Sequence, residues 1–137
     1  MKHHPVPLPE FIDQLRAVLA QHPHVHFAML FGSLARGAAR PDSDLDLAVS
    51  ADRPLRVGEV IGLINDLAVA IGRPVDLIDL TAAGEPLRGQ ILTHGVRVLG
   101  DATRHGALLS RHLADVADFV PLQRRILDER RRRWIGR

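Results

Sequence analysis

The period of the apolar positions changes several times along this chain, and each change marks an element. Phe11, Ile12, Leu15, Val18 and Leu19 recur at helical spacing and predict a helix that buries one stripe. Pro9 suits the first turn of that helix, and the proline-rich residues 5–9 read as an extended lead-in. The helix ends at Gln21-His22-Pro23, because proline disfavours helical backbone in the residue before it. Val25 to Phe31 is rich in strand formers and stops at Gly32, giving a first strand, and Asp44 to Ser50 gives a second. Between them lie a small-residue turn at Gly32-Ser33 and a polar loop. After a turn at Asp52 to Pro54, the residues Val60, Ile61, Ile64, Leu67, Ala68 and Ile71 predict a helix over Val57 to Ile71, stopped by Gly72. Pro74 to Leu80 reads as a short strand, Glu85 to Thr93 as a short helix closed by Gly95, and Val96 to Leu99 as a last strand. Thr103 to Val120 and Leu122 to Trp134 read as two helices separated by Pro121.

The predicted order is helix, strand, strand, helix, strand, helix, strand, helix, helix. That is a small mixed α/β (α+β) domain with a C-terminal helical extension. We place the boundary between residues 1–102 and 103–137, with the extension packed on the same domain. A length of 137 residues fits one core. The chain has no cysteine, so disulfides and thiolate metal sites are excluded, which fits a cytoplasmic location. No apolar run approaches a membrane span, and Met1 to Glu10 has no signal-like apolar core. Charge is uneven. From Pro121 to Arg137, seven arginines face only Asp128 and Glu129, a net +5 against +2 for the whole chain. A mildly acidic body with a basic tail points to an acidic partner surface or a nucleic acid.

The chemistry concentrates between Met29 and Val49. In an extended segment Asp44 and Asp46 point to one face, while Leu45 and Leu47 point to the other. Asp76 lies on a separate predicted strand and converges on this pair if the two strands are neighbours. Three crowded carboxylates repel one another unless cations neutralise them. Mg²⁺ suits such oxygen donors, commonly with substrate phosphates completing its shell. Two ions about 3.5–4 Å apart would stabilise both oxygens of an in-line displacement. Upstream, Gly32 permits close backbone approach, and Ser33 offers a hydroxyl and an N–H to an anion. Arg36 either contacts phosphate or pairs with an aspartate of its own loop. Ser43 caps or orients the Asp44 segment. An Asp-x-Asp at a strand start also occurs as a solvated strand end, and spacing alone leaves that alternative open.

The segment Gly32-Ser33-Leu34-Ala35-Arg36-Gly37, five residues, then Ser43-Asp44-Leu45-Asp46-Leu47 resembles the nucleotidyltransferase motif of the DNA polymerase β superfamily. More closely it resembles the minimal nucleotidyltransferases, which are commonly encoded beside a HEPN-domain ribonuclease toxin and act as its antitoxin. Val75 to Leu80 resembles the strand bearing the family's third carboxylate, and Gly95 to Leu99 the strand that follows. The resemblance covers roughly residues 10–120. It implies a polymerase β-like palm fold for residues 1–102. It also implies that Gly32 and Ser33 hold a nucleoside triphosphate, with Arg36 and Ser43 supporting the site. Asp44, Asp46 and Asp76 would be the catalytic and Mg²⁺-binding residues, with Asp76 helping to activate a hydroxyl. Asp79 falls out of phase with Asp76 and does not match. The implied reaction is transfer of AMP from ATP to a tyrosine of the toxin. This chain has no tyrosine of its own, so such an acceptor lies on another molecule.

Two alternatives remain on the residues: neutralisation of a toxin by stoichiometric occlusion, and nucleotide transfer to a small molecule. His22, His24 and His26 alternate, so an extended segment aligns them, either as metal ligands or as polar positions at the start of a strand. His105 and His112 are expected on solvated helix faces. The arginine run 130–133 covers a whole helical turn and reads as a solvated terminus or a docking element, with Trp134 and Ile135 as possible anchors in a partner's groove. Direct nucleic-acid binding is less favoured, because aromatic interleaving is minimal.

Overall fold

The structure, a computed structural model, describes residues 8–37 and 43–114. Helix α1 (Leu8–Leu19) leads into strand β1 (Val25–Phe31), which passes directly into a short helix α2 (Gly32–Ala35). Strand β2 (Leu45–Ala51), helix α3 (Val57–Ile71), strand β3 (Val75–Asp79), helix α4 (Leu87–His94) and strand β4 (Val96–Leu99) follow. Residues 102–114 are again helical and form α5 as far as described. Within the described residues the predicted elements are present with ends displaced by a residue or two, and the predicted end of helix 103–120 lies outside them. The predicted Gly32-Ser33 turn is instead the start of α2, because Gly32 takes a left-handed φ of 73° from which the chain turns straight into a helical turn. The predicted helix 122–134, its separation at Pro121 and the arginine run lie outside the described residues.

The four strands form one sheet in the order β3-β2-β1-β4. β1 is antiparallel to both β2 and β4, whereas β2 and β3 are parallel, joined across α3. Strand alternation splits the core between the two faces of the sheet. Leu30, Leu45, Leu47, Val49 and Val98 face α1 and α3, meeting Phe11, Leu15, Leu63 and Leu67. Phe27, Met29 and Ala48 face the other way, against Ile91 and Leu92 of α4 and Leu108 and Leu109 of α5. The Arg16 Nε–H donates to the Val98 carbonyl at 2.7 Å and ties α1 to the edge strand.

The second face is completed by polar contacts. The His105 Nε2–H donates to the Leu92 carbonyl at 2.7 Å, and its ring stands edge-on to Phe27. His112 Nδ1 lies 2.8 Å from Glu85 Oε1, and the buried Arg88 donates to the same oxygen at 3.0 Å. Both histidines therefore sit between α5 and the rest of the fold, not on solvated faces as expected, because α5 packs across α4. Burial pushes the Glu85 carboxyl up, but His112, the Gly89 amide and Arg88 outweigh it and hold the group below its usual range. The His112 ring occupies the space where a Cβ on Gly89 would stand. Replacing Gly89 with alanine is expected to unseat His112 and cost about 1–3 kcal/mol in denaturant unfolding. Leu113→Ala, at an exposed position of the same helix, should stay within about 0.5 kcal/mol.

Candidate functional site

The parallel register of β2 and β3 pairs Asp46 with Asp76, and the flanking Leu45, Leu47, Val75 and Leu77 face α1 and α3. Asp46 and Asp76 therefore stand side by side on the opposite face of the sheet. Asp44 precedes β2 by one residue and is exposed, as is Asp76, whereas Asp46 is half-buried. On its other side Asp46 is registered with Phe31 of β1. Immediately after Phe31, a Cβ on Gly32 would overlap the Asp46 carboxylate. Gly32 thus meets two demands that only glycine satisfies together, a left-handed φ and direct contact with a carboxylate.

The electrostatics follow from this crowding. Burial pushes the Asp46 carboxyl up from its ordinary 3.8, and the charges of Asp76 and Asp44 push it further. The Arg36 guanidinium opposes them from the end of α2. Arg36 and Ser33 are thereby brought to the same end of the sheet as the carboxylates. Ser43 is held through its backbone: Arg73 Nη1 donates to its carbonyl at 2.9 Å, and the Leu45 N–H donates to the Pro74 carbonyl at 2.8 Å. The loop after α3 therefore grips the segment that carries Asp44. Sequence reasoning missed Arg73, which lies outside any motif; only the β2–β3 pairing puts it beside Ser43.

Asp79 is turned away from this group. Its carboxylate accepts from the N–H groups of Leu55 and Thr81, each at 2.9 Å, and secures the turns at the ends of β2 and β3. The alternating histidines do not converge on a metal either. His22 pairs with Asp66 at 2.7 Å, His24 with Glu59 at 3.4 Å, and His26 with Asp52 at 2.9 Å. Each ring finds its own carboxylate on α3 or the turn before it. Arg53 and the Arg56 N–H also bond Glu59 and hold its carboxyl at about 2.

A cavity of about 550 Å³ opens beside Gly32. Phe31, Ala35 and Arg36 form one wall, and Leu87, Gln90, Ile91 and His94 of α4 form the other. The spacing of these four α4 residues is that of one helix face. Among the described residues, no three histidine, aspartate or glutamate side chains are already grouped so as to hold an ion. The donor set still fits a hard divalent cation. Asp46 and Asp76 share one face, the charge of Asp44 also reaches Asp46, and a cation would relieve the raised Asp46.

Residues 13–104 match the family described as "Polymerase beta, Nucleotidyltransferase". The chain belongs to that nucleotidyltransferase family. A relative, the protein adenylyltransferase MntA of Shewanella oneidensis, is 36% identical over 78 residues, a stretch spanning 57% of this chain and 56% of the relative. Among solved structures, a toxin–antitoxin crystal structure with AMP-PNP superposes with a TM-score of 0.76 at 26% identity, over 86% of this chain and 96% of the other. A complex of tri-AMPylated Shewanella oneidensis HEPN toxin with MNT antitoxin gives a TM-score of 0.65 at 26% identity, over 88% and 92%. The family resemblance carried by Gly32 to Leu47 is therefore met by both the family match and the fold. No helix among the described residues is long and apolar enough to cross a membrane.

The raised Asp46 has a thermodynamic sign. The folded nucleotidyltransferase holds that proton to higher pH than the unfolded chain does. Ionisation therefore costs the folded state stability. The cost is absent below the unfolded value and complete above the raised one. In the absence of divalent cations, Asp46→Asn should raise the melting temperature at neutral pH, and the gain should vanish near about pH 3.

Proposed function

We propose that this chain is a Mg²⁺-dependent nucleotidyltransferase antitoxin that moves AMP from ATP to a tyrosine hydroxyl of a cognate HEPN ribonuclease toxin and so neutralises it. The observation that carries this reading is the pairing of Asp46 with Asp76 on one open face, with Gly32 against the same carboxylate. The similarity to an adenylyltransferase, and to complexes described as containing AMP-PNP and an AMPylated HEPN toxin, supports the direction of transfer and the kind of partner. The partner is then a hetero-oligomeric one.

In this reading residues 1–102 form the catalytic unit, and 103–137 form an extension whose first part, α5, packs on it. Gly32 and Ser33 bind the triphosphate, since the missing Cβ lets backbone and phosphate approach. Arg36 balances phosphate charge, and Ser43 keeps Asp44 in place. Asp44, Asp46 and Asp76 would hold Mg²⁺, in all two ions, which would neutralise the phosphates and stabilise the charge that develops at phosphorus. Asp76, at the outer end of the trio, accepts the proton of the attacking hydroxyl. The hydroxyl oxygen forms a bond to the α-phosphorus as the bond to the pyrophosphate oxygen breaks.

The test mixes the full chain with its cognate HEPN protein, ATP and Mg²⁺, and follows the mass of both chains. AMP-sized additions should appear on a tyrosine of the HEPN protein, and chelation of Mg²⁺ should stop them. Asp44→Asn and Asp46→Asn should each slow the transfer by at least about 10²–10³-fold. Neutralisation by those variants at full strength, with no mass change, would establish occlusion in place of transfer.

A further inference from the structure

The cavity between α2 and α4 is not required by the carboxylate chemistry, and its position and lining define what it takes. It shares Gly32 and Arg36 with the phosphate end of the site and continues away from it along α4. Across the sheet, β3 with Asp76 lies on one flank of β2, and β1, which runs into Gly32, lies on the other. Under the proposed function, on which this inference rests, the acceptor hydroxyl comes to Asp76. The cavity is on the opposite flank, so its occupant is bound to the phosphates rather than attacking them. Away from Arg36, Phe31 and Leu87 give its walls apolar surface, which suits a flat ring. Leu87 is 42% exposed, an apolar side chain at the mouth of this space. The volume lies within the range of small-molecule sites, about 300–1,000 Å³.

Only a few polar groups converge on this space, among them the Gln90 amide and the His94 ring, both exposed. A glutamine amide carries donors and an acceptor on one plane and can pair with both the N6 and N7 positions of an adenine edge. The opposite side of α4 is held firmly. Glu85 bonds Arg88 and the Gly89 N–H and meets His112, so α4 is fixed from behind by α5. Gln90 is thus presented from a stiff helix rather than a loop, which favours selective binding.

We infer that the α4 face is the nucleoside subsite, with Gln90 the residue that selects the base and Leu87 the surface on which the base lies. The test measures binding to the full chain, with Mg²⁺ present, of ATP, GTP, CTP, UTP and inorganic triphosphate by calorimetry. The wild-type chain should prefer ATP among the four nucleotides. Gln90→Ala should weaken ATP roughly tenfold, the scale of a lost pair of neutral hydrogen bonds, and flatten the preference. Inorganic triphosphate should bind the variant as it binds the wild type. Leu113→Ala, at an exposed position of α5 away from the cavity, should leave the order of base preference unchanged. Three outcomes would overturn the assignment: ATP binding unaffected by Gln90→Ala, equal loss of ATP and triphosphate, or a change confined to the KM for the acceptor protein. The transfer reading is tested separately: if Asp46→Asn transfers AMP as well as the wild type, that reading fails whatever Gln90 does to nucleotide binding.

Discussion

The fold is arranged around an unfavourable contact. Two carboxylates on neighbouring parallel strands, with a third at the strand's beginning, are held on one face of a sheet whose other face carries a large apolar core. Nothing in the hydrophobic core can relieve that repulsion; the core enforces it. Leu45 and Leu47 are fully buried, so β2 cannot rotate Asp46 away without exposing them. Arg36 offsets part of the charge, and Gly32 leaves the room that Asp46 needs. The energy of burying one face is thus used to hold the other in a state that favours a cation.

Much of this was legible in the sequence, because the signals were local. The alternation of Asp44, Leu45, Asp46 and Leu47 assigns faces within one strand without knowledge of its neighbours. Gly32-Ser33 and the Asp44-x-Asp46 pair gave the family before any fold was available. Asp76 needed one further assumption, that β3 lies next to β2, and the parallel register supplies it. Phase allowed only one of Asp76 and Asp79 to face the site, the family pattern around Asp76 chose between them, and Asp79 is occupied with backbone amides.

What was not legible depends on packing between distant segments. His105 and His112 looked solvated because their own helix gives no sign of what covers it; α4 does so. The helix α4 has no pronounced apolar stripe because both its sides are used, one by α5 and the sheet, the other by the cavity. Arg73 has no motif, and its partner is a backbone carbonyl thirty residues away, which sequence cannot specify. The row of His22, His24 and His26 carried a metal-like spacing, but spacing along one segment says nothing about the carboxylates that α3 and the turn before it place opposite each ring.

The parallel pairing of β2 with β3 also has a kinetic meaning. Parallel neighbours are joined only by a crossover, here the whole of α3, so Asp46 and Asp76 remain apart until that long loop has closed. Local precursors such as the β1–β2 hairpin can form without the carboxylate crowding. The repulsion between Asp46 and Asp76 thus belongs to the finished molecule and not to a chain in which α3 has yet to cross over. Relief of that repulsion, by a cation or by substitution, acts chiefly by lengthening the lifetime of the folded chain, with little effect on how fast it is reached.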